Sequence, residues 1–153
     1  MNKILGAVQG ATEIGDFERM LYSAAALSFV AEAIHLWVAP EHYLEWLGYG
    51  VFFLVVAVFQ GVLGAALLFR ARRWIFLLGA LGNLAIVVLW AYTRTVAVPL
   101  GPMAGETEEL GALDLACTST EVVLVMLLAA LWWRYRKPGP GIRRTQGPRP
   151  SKV

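Results

Sequence analysis

The sequence predicts an all-α integral membrane protein, a bundle of four transmembrane helices with both termini in the cytoplasm. Three observations carry that prediction. The chain of 153 residues is 58% hydrophobic and only 16% charged, with a mean hydropathy of +0.61, whereas a soluble domain carries about 25% charged residues. The apolar residues gather in four blocks of about 20, the length that crosses a bilayer as a helix. Twelve of the 13 basic residues fall on one side of the resulting threading, and only Arg94 falls on the other. That asymmetry places the termini and the Arg70–Arg73 turn inside.

The chain divides into residues 1–16, 17–137 and 138–153. Residues 1–16 are weakly amphipathic, interrupted by Gly6, Gly10 and Gly15, and read as an interfacial segment or a frayed end. No apolar stretch of signal-peptide length precedes Asp16, so a cleaved secretory signal is not expected. Asp16 suits an N-cap, which starts the first span at about 17–39. Pro40 is expected to end it, because the residue before a proline avoids helical geometry. Residues 41–46 then form a short outer connection. A second span covers about 47–69. After the basic turn of Arg70, Arg72 and Arg73, a third covers about 74–98. An acidic loop with Glu106, Glu108 and Glu109 leads to a fourth span at about 110–133.

Trp74, Trp132, Trp133 and Tyr135 mark the inner interface, and Trp37, Tyr43, Trp46 and Tyr49 the outer one. The tail 138–153 holds four prolines, three glycines and four basic residues. It is expected to be disordered and to rest on anionic lipid head groups. The remaining partners expected are the lipid bilayer, a second copy of the chain, or a larger membrane complex.

Composition also excludes. A single cysteine, Cys117, forbids an internal disulfide and leaves no CxxC motif; it reads as a small buried hydrophobe. No nucleic-acid-binding motif is present.

A helix turns about 100° per residue, so each span can be read for faces. Ser28, Glu32 and His35 share one on the first span. Tyr49, Phe53, Val56 and Gln60 share one on the second. Asn83, Val87, Trp90 and Arg94 share one on the third, and Asp114, Cys117, Thr118 and Glu121 on the fourth. Four polar stripes are expected to meet inside the bundle, away from lipid. At about 1.5 Å per residue, Glu32 lies roughly 12 Å below Pro40, and Glu121 lies at a similar depth. Gln60 and Asn83 lie deeper and are expected to share an interhelical hydrogen bond near the midplane. Small residues suggest a close seam between Gly61, Gly64 and Ala65 on the second span and Gly79, Ala80 and Gly82 on the third.

Ionisable groups inside a span point to function. Glu32, His35, Glu121 and Asp114, with His42 and Glu45 at the outer rim, are candidate ligands for a cation. The cofactor is not identified beyond a possible single divalent metal ion such as zinc, copper or iron. A paired-iron site needs two Glu-x-x-His motifs, and only Glu32-x-x-His35 is present. The leading expectation is therefore a non-catalytic, outward-facing acidic and histidine pocket for a cation, metal or small polar ligand. The main alternative is structural: Arg94 pairs with Glu32 or Glu121, and the charges hold together an accessory subunit of a membrane complex. Further alternatives are proton or ion passage, for which no charged group continues beyond Gln60 and Asn83, and acid–base chemistry on a lipid or quinone. No nucleophile–base pair or cofactor fingerprint supports the last.

The pattern His35…Glu41-His42…Glu45-Trp46…Gly48, followed by Phe52-Phe53 and Gln60, resembles small bacterial four-span membrane proteins that carry no agreed activity. The chain is also superficially similar to DoxX-type four-helix membrane proteins. Both resemblances imply the four-span fold and transfer no site.

Overall fold

Four helices account for the regular structure of the computed structural model: α1 (Asn2–Glu45), α2 (Leu47–Phe69), α3 (Arg73–Thr95) and α4 (Ala112–Arg136). It describes residues 2–97, 101–102, 104–108 and 110–136, and of residues 2–11, 13 and 136 the backbone alone. The expected tail 138–153, the end of the third span at Val98 and the loop residue Glu109 lie outside the described residues. All four helices are long and apolar enough to cross a membrane.

The first helix differs from expectation at both ends. It runs unbroken through Asp16, which is an exposed helical residue 3.8 Å from Arg19 rather than a cap. It also runs through Pro40 and takes in residues 41–45, so the expected connection shrinks to Trp46 alone. Proline removes a single backbone donor. The helix resumes at once, and its last turn closes with the Trp46 N–H on the His42 carbonyl at 3.0 Å. Trp46 is extended, at φ −163° and ψ 133°, and the chain reverses there into α2. Gly50 permits the reversal: a Cβ at that position would stand 2.6 Å from the Tyr43 Cα.

α1 packs along α2 and α3 along α4, and contact between α1 and α4 joins the two hairpins. α2 and α3 touch only sparsely, which revises the expected glycine seam. Gly61 and Gly64 face α1, against Glu32 and Phe29. Gly79 and Gly82 do face α2, but meet the large side chains Leu63 and Phe59. The small residues of α2 thus make room for α1 side chains rather than for a bare approach to α3.

Beside the α2–α3 turn the interior is apolar. Ala24, Ala25, Leu63, Leu67, Phe76, Leu128 and their neighbours form one buried cluster. Farther along the bundle the buried residues include the polar Ser28, His35, Gln60, Asn83, Thr118 and Glu121, beside Ala31, Val56 and Ala57. Each of the four stripes read from the sequence contributes a buried residue to this layered interior.

Candidate functional site

The polar interior has three storeys, beginning above the apolar cluster. In the first, the Ser28 hydroxyl reaches the Gln60 carbonyl at 2.7 Å and its side-chain oxygen at 3.0 Å. Gln60 Nε2–H donates to Asn83 Oδ1 at 2.8 Å, and Asn83 Nδ2–H donates to the Gly79 carbonyl at 2.8 Å. The Gln60–Asn83 bond is the one expected from depth, and it ties α2 to α3 where little else does.

The second storey gathers His35 of α1 with Cys117 and Glu121 of α4. One ligand-type atom from each lies within 4.8 Å of the other two, and all three residues are buried. His35 Nδ1 is 2.8 Å from the Ala31 carbonyl. A carbonyl only accepts, so Nδ1 carries the proton and donates. His35 Nε2 is 3.5 Å from Glu121 Oε1. The Cys117 sulfur is 3.7 Å from Nδ1 and 3.9 Å from Nε2. Among the described residues, Glu121 Oε1 has no hydrogen-bond partner. A neutral imidazole with its proton on Nδ1 would therefore turn a lone pair toward an unpartnered carboxylate oxygen. In a medium without water, two acceptors facing each other need a proton or a cation between them.

The His35–Glu121 distance suits a cation. A tetrahedral ion with bonds of about 2.0–2.1 Å to nitrogen and oxygen sets N···O edges of ~3.4 Å, against 3.5 Å here. The Cys117 sulfur, nearer Nδ1 than Nε2, lies beside the ring, so it must swing toward the Nε2 edge to join the same ion. Metal-bound histidines usually donate their other ring N–H to a carbonyl or carboxylate, and Ala31 supplies that acceptor here.

The third storey belongs to Arg94. Its Nη2 donates to Asp114 Oδ2 at 2.6 Å and its Nη1 to Glu108 Oε2 at 2.6 Å, with Thr93 Oγ1 at 2.7 Å. The guanidinium carbon lies 5.4 Å from the centre of the Trp90 ring. Asp114 stands in the first turn of α4, where a carboxylate favours the helix dipole.

The expected residues therefore separate. His35 and Glu121 come together. Asp114 turns to Arg94. Glu32 is half-buried and seats its carboxylate against Gly61, away from Arg94's partners. The expected Arg94 pairing with Glu32 or Glu121 is replaced by Asp114 and Glu108. His42 places Nδ1 3.0 Å from the Val38 carbonyl and packs on Phe53 with ring centroids 4.1 Å apart. Glu45 is exposed at the last position of α1. Cys117 is buried, as its apolar reading expected, and its place on the Asp114–Glu121 stripe brings it beside His35 and Glu121. Comparison with protein-family models, curated proteins and solved structures found no match.

Proposed function

We propose that the chain is a multi-pass protein of the cytoplasmic membrane, with both termini inside, that binds one divalent transition-metal ion between His35 Nε2, Cys117 Sγ and Glu121 in the half of the bundle facing outward. The observation that carries this reading is the unpartnered Glu121 Oε1 facing His35 Nε2 beside a thiol, all out of water. Charge supports a dication. A neutral imidazole, a thiolate and a carboxylate sum to −2, which a 2+ ion cancels in a medium where net charge is costly. Imidazole, thiolate and carboxylate together suit zinc or a similar borderline ion, and three protein ligands leave one coordination position open. The role is binding rather than catalysis.

Membrane placement is supported by exposed apolar residues in mid-helix, such as Val55, Val62, Leu81 and Val88. A water-facing surface would not carry so continuous a patch. The distribution of arginine and lysine supports the orientation.

Cobalt(II) substitution tests the site. Adding Co²⁺ to the purified protein should give a thiolate-to-cobalt charge-transfer band and tetrahedral d–d bands. Cys117→Ser should remove the first. Absence of both bands, with no thermal stabilisation by Zn²⁺, would leave the accessory-subunit reading. Arg94 favours that reading, since its charge is already balanced by Asp114 and Glu108.

A further inference from the structure

Resting on the metal-site reading, we propose that the ion reaches His35 along the face shared by α1 and α2, captured first by His42 at the rim and admitted past the ring of Phe53. His35 and His42 are seven residues apart, about two turns, so they share a face and stand roughly 10 Å apart along the axis. Both engage the carbonyl four residues earlier through Nδ1, at 2.8 Å to Ala31 and 3.0 Å to Val38. Both therefore hold Nε2, the metal-binding nitrogen, free of their own backbone. Phe53 of α2 packs on both imidazoles, with centroids 4.1 Å from His42 and 5.8 Å from His35. Its ring thus touches both imidazoles. His42 is half-buried and Glu45, one turn on, is exposed, so the pair offers nitrogen and oxygen ligands at the rim.

The other approaches are less suited to a cation. Between α3 and α4 stands the guanidinium of Arg94, largely buried and held by Asp114 and Glu108. The guanidinium occupies that gap, and the two carboxylates there are already engaged with it at 2.6 Å. From the opposite end, the ion would cross the apolar cluster of Leu67, Phe76, Leu128 and Leu131. The α1–α2 face alone carries imidazoles at two depths, with the Phe53 ring packed against both.

Stopped-flow uptake of Co²⁺ by the full chain, read at the Cys117 charge-transfer band, tests this route. Release into excess chelator is followed at the same band. His42→Ala should slow uptake on the order of tenfold, and Phe53→Ala should speed uptake and release by a similar factor, as for a side chain that gates access. The band should keep its shape in both variants, since His35, Cys117 and Glu121 remain. Phe53→Leu, which keeps an apolar plug, gives an intermediate rate and serves if the alanine variant does not fold. If the parent binds Co²⁺ and these variants load and release at its rates, the route is wrong and the metal site stands. Faster loading in Arg94→Gln with no change in the His42 variant would also overturn it, placing entry between α3 and α4. If the parent shows no thiolate band, the metal site fails and the route with it.

Discussion

The end of the bundle beside the α2–α3 turn and the end beside the α3–α4 loop are built from the same four helices yet cohere by different means. The first is filled by alanine, leucine and phenylalanine. The second holds, besides Ala31, Val56 and Ala57, an amide pair, a His–Cys–Glu cluster and an arginine clamp. In a bilayer the surroundings of the helices are as apolar as leucine, so burying leucine there brings packing but little transfer energy. Polar contacts have no such substitute outside the bundle, since lipid offers them no partner. The apolar end can therefore be no more than tightly packed, whereas the polar end selects which helices meet and at what rotation.

Four measurements break or sharpen that contrast, in order of expected size. Zinc at 100 times its dissociation constant should stabilise the folded protein by about 2.7 kcal/mol, the linkage value for one site. Cys117→Ser and Glu121→Gln should abolish most of that gain in a thermal-unfolding assay in detergent. An equal gain in both variants would place the ion elsewhere. Arg94→Met leaves Asp114 and Glu108 without their cation and should cost about 2 kcal/mol. Loss of one partner from a buried pair costs about 3–5 kcal/mol, and this value is discounted because both carboxylates are about a third exposed. Adding Asp114→Asn should recover part of the loss.

Leu128→Ala probes the apolar end. Roughly 1–2 kcal/mol is expected, the packing share of a core truncation without its water-transfer share. A loss of 4 kcal/mol or more, on the order of a water-soluble core, would contradict a lipid-facing bundle. Smallest is the Gln60–Asn83 bond. A double-mutant cycle with Gln60→Leu and Asn83→Leu should give a coupling of about 0.6 kcal/mol, and no more than ~1.7. A coupling near zero would remove that bond from the contrast.

Much of this architecture was legible in the residues. The four spans follow from blocks of apolar residues, and the inward stripes from the 3.6-residue period. Gln60 and Asn83 met because depth alone, counted from the helix ends, put them together. What escaped depends on rotation and on neighbours distant in sequence. Pro40 argued for a break because the residue before a proline avoids helical geometry, yet Ala39 stays helical and the turn after Pro40 closes. Arg94 was assigned to Glu32 or Glu121 by elimination, but Glu108, from a loop whose path no periodicity describes, lies closer at hand. Gly61 and Gly64 looked like half of a seam with α3. They serve α1 because a helix's rotation about its own axis is set by all its contacts at once. Cys117 is buried as read, but its nearness to His35 and Glu121 was not legible, because a lone cysteine carries no spacing from which to infer its neighbours.

The length of α1 has a consequence of its own. Forty-four residues in one helix reach about 66 Å, roughly twice the hydrocarbon thickness of a bilayer. The ring of Phe17 meets Phe76 at the start of α3, and the 15 helical residues before it carry the chain about 22 Å farther along the axis at the same rise. A helix of that length cannot be contained in hydrocarbon, so part of it must meet head groups or water.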